Sequence, residues 1–144
     1  MTEPFQPLDP DRQLGYLLAR VADGVSRRWH DALRQRGVSP RQFSVLALLV
    51  DDPGLSQGEL ARRVLITPQS MSELLRGLID AGLVERGPVR PGRAASLVVT
   101  DDGRRLLVAA YPVVREVDRE AFGALDGRER SALEALLRKL LPPA

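Results

Sequence analysis

The chain has 144 residues, of which 44% are hydrophobic and 28% charged, and its formal net charge is only +2. This composition is that of one globular domain and excludes a disordered chain. No apolar run approaches the roughly 18 residues of a membrane span. With no cysteine, one histidine and no secretory signal at Met1 to Pro4, we expect a cytoplasmic protein that is not an enzyme and needs no metal or cofactor.

The first predicted element is a long helix that begins at Asp9-Pro10 and ends near Arg36, before Gly37. Asp and Pro are typical of a helix start, and glycine is typical of a helix end. Between these signals, apolar residues recur at helical spacing and form one face of the helix. This face consists of Leu14, Leu17, Leu18, Val21, Val25, Trp29 and Leu33.

A second helix is predicted from Ser39, where Ser-Pro-Arg-Gln has the spacing of a capping box. In this motif the first and fourth side chains satisfy the free N–H groups of the first turn. The segment from Asp51 to Gly54 ends the helix. Its predicted apolar face consists of Phe43, Leu46, Ala47 and Val50.

Two short helices with a tight turn between them are predicted next. Ser56 and Glu59 have the capping-box spacing of a helix start. Thr67-Pro68 supplies the N-cap and first residue of the following helix, and Gly82 ends it. The sequence therefore predicts a helix-turn-helix. The apolar stripe of its first helix is Leu60, Ala61 and Val64, and that of its second helix is Met71, Leu74, Leu75, Leu78 and Ile79.

The polar face of the second of these helices combines side chains that suit DNA bases with two carboxylates. Its residues are Gln69, Ser70, Ser72, Glu73, Arg76 and Asp80. Ser70 and Ser72 are short enough for the backbone to approach a duplex. Gln69 can pair with adenine, and Arg76 can pair with guanine or a phosphate. The same pattern also fits an ordinary amphipathic surface helix with a solvated face, and this helix alone does not decide between the two.

A small basic hairpin is predicted after this helix. Its strands, over 83–86 and 96–99, are joined by a loop too long for a two-residue turn. The region after Glu85 contains three arginines and no acidic residue up to Thr100. Arginine at a loop tip suits the negative potential of a narrow minor groove, although a solvated turn would also carry charge. Together the helices and hairpin predict a winged helix-turn-helix that binds double-stranded DNA. The three arginines are Arg86, Arg90 and Arg93.

Two helices complete the chain, one from Thr100 to about Phe122 and one from Asp126 to the Pro142-Pro143 stop. The last helix has more leucine than a lone terminal helix can bury. We therefore expect the first and last helices of two chains to interleave in a twofold dimer, with two DNA-reading helices roughly 34 Å apart. Packing within a monomer is the alternative. The predicted interface residues are Leu14, Leu17, Leu133, Leu136, Leu137 and Leu140.

The sequence resembles the MarR (multiple-antibiotic-resistance regulator) family of bacterial winged-helix repressors. The resemblance covers nearly the whole chain and is carried by LSQGELARRV, TPQSMSELLRGLIDAGLVER and LVVTDDGRRLL, together with the Gly-Arg of the wing tip. Many members have acidic residues just before the wing-tip arginine, where this chain has Val89 to Gly92. An acidic brace for Arg93 therefore cannot be carried over from the family.

The resemblance implies a homodimeric repressor that leaves its operator when a small effector binds. In the family the effector is often a phenolic or lipophilic acid, held between the dimerisation helices and the winged domain. Trp29 and Phe43 lie on apolar stripes and are also explained as core residues, and Arg20 is the candidate anchor for a carboxylate. The residues that could line such a pocket are Tyr16, Arg20, Trp29, His30, Phe43 and Tyr111.

The expected fold is mainly α with a small β-wing, in a single domain over 1–144. Dimerisation helices are expected at 9–36 and 101–141, and the winged helix-turn-helix at 39–100. The alternative function is a winged-helix protein-interaction module; single-strand or RNA binding would need aromatic residues that the predicted strands lack. The residues expected at DNA are Ser56, Gln57, Thr67, Pro68, Gln69, Ser70, Ser72, Arg76, Arg86, Arg90 and Arg93.

Overall fold

The computed structural model describes residues 7–89, 91–92 and 95–142. In this part of the chain, six α-helices and a two-stranded antiparallel sheet confirm the predicted fold class. None of the described helices is long and apolar enough to cross a membrane. In chain order the elements are α1 (Leu14–Arg34), α2 (Pro40–Asp51), α3 (Gln57–Val64), α4 (Pro68–Asp80), β1 (Val84–Arg86), β2 (Leu97–Val99), α5 (Asp101–Ala121) and α6 (Gly127–Leu140).

The chain divides into two compact units. The central unit, His30–Val114, contains α2, α3, α4, the sheet and the first part of α5. The terminal unit comprises Met1–Trp29 and Arg115–Ala144, and it contains most of α1 and all of α6. Because the division falls within α1 and α5, each of these helices contributes residues to both units.

Side-chain caps fix the starts of α2, α3 and α6 as predicted. At α3, Ser56 Oγ accepts from the Glu59 backbone N–H, and a Glu59 carboxylate oxygen accepts from the Ser56 N–H at 2.7 Å. The same reciprocal pair joins Ser39 and Gln42 at α2, and a third forms at the start of α6. An N-cap contributes about 1 kcal/mol because it satisfies N–H groups that have no partner within the helix.

The prediction of one continuous helix from Asp9 is wrong in its first turn. Pro10–Arg12 forms a separate 3₁₀ turn, Gln13 is extended at φ −89° and ψ 117°, and α1 begins only at Leu14. The Asp9 carboxylate caps the short turn by accepting a backbone N–H at 3.1 Å. The capping signal is therefore real, but the Gln13 N–H donates back to the first residue of the turn and closes it.

The core of the central unit buries a different face of α2 from the predicted one. Of the predicted residues only Leu46 is fully buried, and Val45 and Leu49 are buried beside it. Most of α2 is apolar, so periodicity does not select one face clearly. The predicted residues at the margin of the core are Phe43, Ala47 and Val50. The other buried residues of this core are Leu60, Ala61, Met71, Leu75, Leu78, Val84, Leu97, Val99 and Leu107.

The start of α5 is tied to the end of α4 and the beginning of the sheet. Thr100 Oγ1 donates to the Gly82 carbonyl at 2.6 Å, and the Thr100 N–H donates to the Leu83 carbonyl at 3.1 Å. Thr100 Oγ1 also accepts from the Gly103 N–H, as predicted for a cap. A Cβ at Gly103 would lie 2.3 Å from the Leu83 carbonyl oxygen, so only glycine permits this close approach.

Candidate nucleic-acid interface

The helix-turn-helix core holds α4 in a fixed orientation over α3. Leu60, Met71 and Leu75 are each at most 1% exposed. The turn between the helices contains Leu65 in the left-handed conformation, at φ 61° and ψ 45°. This conformation costs a non-glycine residue about 1–2 kcal/mol, and the Leu65 side chain is also 86% exposed. The packed core therefore sustains a strained turn beside the start of α4.

Four side chains form the exposed stripe of α4, opposite the buried Met71, Leu75 and Leu78. Spacings of four, three and four residues place them on one side of the helix. The structure places Gln69 and Arg76 there together with two carboxylates of the same predicted polar face. The stripe is therefore polar without being basic. Its members are Gln69, Glu73, Arg76 and Asp80.

Ser72 lies to the side of this stripe. It is partly buried, and its Oγ accepts a hydrogen bond from Gln57 Nε2 of α3. The structure thus brings two predicted DNA contacts together as a link between α3 and α4. A base contact by Ser72 stays a prediction, and it would have to replace this link.

The starts of α3 and α4 are ordered by side-chain caps. Thr67 Oγ1 accepts from the Ser70 backbone N–H at 3.1 Å and donates to Ser70 Oγ at 3.0 Å. Ser56 uses its N–H and Oγ in the capping box of α3, and Pro68 is exposed at the first position of α4. Helix starts of this kind favour an anionic group, because their N–H groups and dipole point toward it.

Glu59 places a negative charge at the start of α3. The Ser56 backbone N–H holds the pKa of this carboxyl below its ordinary value of 4.5, and the Ser56 hydroxyl acts in the same direction. The charges of Arg62 and Arg63 lower the pKa further. Glu59 is therefore ionised at neutral pH, and it opposes a phosphate at this helix start.

Arg62 and Arg63 are exposed arginines that the predicted set of DNA contacts does not include. They lie in the last turn of α3, and in helix-turn-helix proteins the first helix crosses the DNA backbone. The adjacent pair of arginines in the sequence could have indicated a phosphate contact from this helix. Basic residues at the end of a helix also interact favourably with the helix dipole, so this pair has a structural explanation as well.

The base of the wing is a tight antiparallel pair. Arg86 lies opposite Leu97 at the end of the sheet, and its side chain is exposed. The Gly87 N–H donates to the Ser96 carbonyl at 2.7 Å and extends the pairing by one residue. A Cβ at Gly87 would lie 2.3 Å from Ser96 Oγ, so the two backbones are held close. The predicted arginines that lie outside the described residues are Arg90 and Arg93.

The predicted dimer residues lie in the terminal unit, and most of them are exposed. Leu14 is 83% exposed, Leu136 57% and Leu140 73%. Leu17 and Leu137 are exposed to a smaller degree, and Leu133 is partly buried. An apolar groove of about 860 Å³ lies in the same unit. Its apolar lining consists of Leu18, Phe122, Leu133, Leu137, Leu140 and Leu141.

Three of the candidate effector residues lie in the terminal unit and have partners there. The Arg20 guanidinium lies over the Tyr16 ring, 5.7 Å from its centroid, and donates to the Asp11 carboxylate at 3.1 Å. Trp29 Nε1 donates to the Asp118 carboxylate at 3.2 Å. These contacts order the side chains without a ligand.

The other three candidates lie in the central unit. Phe43 and Tyr111 pack edge to face with ring centroids 5.8 Å apart, and both are partly buried. His30 is exposed. The aromatic pair supports the core explanation of Phe43, and a ligand pocket built from these residues stays a prediction.

The chain has close relatives among transcriptional repressors. The MarR family model matches residues 36–94, which include α2, α3, α4 and the first wing strand β1. The HTH-type transcriptional repressor Rv2887 of Mycobacterium tuberculosis is 38% identical over 134 residues, which cover 92% of this chain and 96% of that protein.

Solved structures of the MarR family protein Rv2887 of Mycobacterium tuberculosis have a similar fold. Its complex with salicylic acid has a TM-score of 0.76 at 38% identity, covering 91% of this chain and 98% of that one. Its complex with DNA has a TM-score of 0.74 at 36% identity, covering 92% and 100%. On these matches of sequence and structure, the chain belongs to the MarR family of transcriptional regulators.

Proposed function

We propose that this protein is a homodimeric repressor that binds a pseudo-palindromic operator and leaves it when a phenolic or lipophilic acid binds. The observation that carries the proposal is the polar stripe of α4 above a fully packed helix-turn-helix core. A protein-interaction module would instead be expected to present an apolar face there. The relative Rv2887 has been solved with DNA and with salicylic acid, which supports both the target and the effector class.

In this proposal α4 enters the major groove and the wing lies beside it. Gln69 and Arg76 face base edges or phosphates, with Ser70 at the helix start. Arg62 and Arg63 add phosphate contacts from α3. The wing arginines Arg86, Arg90 and Arg93 complete the interface. Because the proposed target is chromosomal DNA, we expect the protein to act in the cytoplasm and without an enzymatic step.

The dimer would form through the helices at 9–36 and 101–141, which would leave the winged region at 39–100 free to read DNA. The exposed leucines of the terminal unit support this arrangement. Two copies of α4 read more base pairs than one and match a palindromic operator by symmetry. Sedimentation of the purified protein should therefore give twice the chain mass.

The effector half of the proposal gives Arg20 the role of carboxylate anchor. Calorimetric titration with salicylate should show binding to the wild type and weaker binding to Arg20→Ala. Arg27→Ala is a matched control, because Arg27 is an exposed arginine on the same helix. Tight binding of salicylate by Arg20→Ala would contradict the role of Arg20.

The DNA half is tested by fluorescence anisotropy with the duplex upstream of the protein's own gene, with single-stranded DNA as competitor. Removing one arginine–phosphate interaction should reduce the log–log salt slope by about 0.9, so Arg86→Ala should give a shallower slope than the wild type. Arg128→Ala on α6 should leave the slope unchanged. Equal competition by single-stranded DNA would contradict the proposal.

A further inference from the structure

The exposed stripe of α4 contains a carboxylate in the middle of a surface that would meet DNA. Glu73 lies one turn after Gln69 and three residues before Arg76, and all three side chains are exposed. In the part of the chain that the structure describes, no ion pair involves Glu73. The Glu73 carboxylate therefore faces whatever the rest of the stripe faces.

A DNA phosphate is an unfavourable neighbour for this carboxylate, because both groups are negatively charged. A base edge is different. The major groove presents amino donors at cytosine N4 and adenine N6, and a glutamate accepts from cytosine N4. A base contact of this kind is the arrangement in which Glu73 favours the complex.

We propose that Glu73 specifies a cytosine in each half-site by accepting a hydrogen bond from its N4 amino group. This inference rests on the proposed function and adds to it the residue that selects one base pair. With a rise of 1.5 Å per residue, Glu73 lies about 6 Å from Gln69 along α4. That distance corresponds to about two base pairs at 3.4 Å each, so the cytosine lies within about two base pairs of the Gln69 contact.

The same carboxylate limits binding to other sequences. Arg62 and Arg63 on α3 and Arg86 on β1 attract any duplex, since phosphates have the same charge everywhere. Glu73 gains a hydrogen bond at cytosine N4, whereas at adenine the N7 acceptor beside the N6 donor repels the carboxylate. Opposite guanine, thymine or a phosphate, Glu73 lies against acceptors. Discrimination therefore comes from a residue that weakens non-cognate complexes.

The proposal is tested by selecting binding sites from a randomised duplex library. Dissociation constants are then measured for operators that carry each of the four bases at the selected position. The wild type should prefer cytosine by about tenfold. Glu73→Gln should move the preference toward adenine, because a carboxamide pairs with adenine N6 and N7. Glu73→Ala should lose the preference and bind non-cognate duplex more tightly than the wild type does.

Glu85→Gln is the matched control, because Glu85 is also exposed and its substitution makes the same change in charge, but it lies on β1. This variant should select the wild-type motif. Circular dichroism spectra should be equal for all variants, since both positions are exposed. A wild-type preference for cytosine that persists in Glu73→Ala would overturn the inference while leaving the proposed function intact. A wild type that selects no motif would contradict the proposed function itself.

Discussion

The central and terminal units differ in how they bury apolar side chains. Among the described residues, Val117 is the only buried apolar residue of the terminal unit, and all the others belong to the central unit. No residue of α6 is buried, and Leu136, Leu140 and the C-cap residue Leu141 are each more than half exposed. The central unit is therefore complete within one chain, whereas the terminal unit leaves an apolar surface that a second chain can cover.

The largest effect is expected from Leu75→Ala in the central unit. Leu75 is 1% exposed. Replacing a buried leucine by alanine lowers the free energy of unfolding by about 2–5 kcal/mol, because a cavity remains. Urea denaturation at constant protein concentration measures the loss, and gel filtration should show an unchanged oligomeric state. A loss below about 1 kcal/mol would show that this core tolerates a cavity unusually well.

The terminal unit is tested by the double variant Leu136→Glu with Leu140→Glu. Two carboxylates on an apolar interface should separate the chains, since buried unpaired charges are strongly unfavourable. Loss of the second half-site should weaken operator binding by at least about a hundredfold, or about 2.8 kcal/mol. Light scattering and anisotropy measure the two effects.

Arg128→Glu is the control for this double variant, because it changes the net charge of the same helix by the same amount. It should remain dimeric. A dimeric double variant would show that the exposed leucines of α6 do not hold the chains together, and the contrast between the two units would then have another cause.

A smaller effect, here a gain in the free energy of unfolding, is expected from Leu65→Gly in the strained turn of the central unit. Glycine adopts a positive φ without steric cost, although it loses more backbone entropy on folding than leucine does. The net gain in unfolding free energy should be about 0.5–1 kcal/mol in urea denaturation. Leu65→Ala keeps a Cβ in the left-handed conformation and should bring no such gain. If alanine and glycine stabilise equally, backbone strain is not the cause.

The smallest effect concerns the cap of α3. The pKa of Glu59 is lowered in the folded protein, so ionised Glu59 stabilises the fold above about pH 4.5. This contribution is lost as the pH falls through the lower folded value. The difference in unfolding free energy between the wild type and Glu59→Gln should therefore shrink on acidification. A pH-independent difference would argue against a charge effect.

Local signals were sufficient to predict the caps, since Ser39 and Ser56 each bond a side chain three residues away. Position on a surface was harder to predict. Ser72 has the polarity of a DNA contact, but its partner Gln57 lies fifteen residues earlier on another helix, and only the packing of α3 on α4 brings the two together. The exposed Glu73 was visible as part of a polar face, and its place between Gln69 and Arg76 became informative once the buried side was known.

The junction at the start of α5 has a mechanical consequence. Gly103 has no room for a Cβ beside Leu83, and Thr100 donates hydrogen bonds to the carbonyls of Gly82 and Leu83. These contacts couple the first turn of α5 to the residues that follow α4. A rotation of that turn would therefore be transmitted to α4. In the proposed complex, a ligand that turned α5 by a few degrees would thus change the angle at which α4 enters the groove.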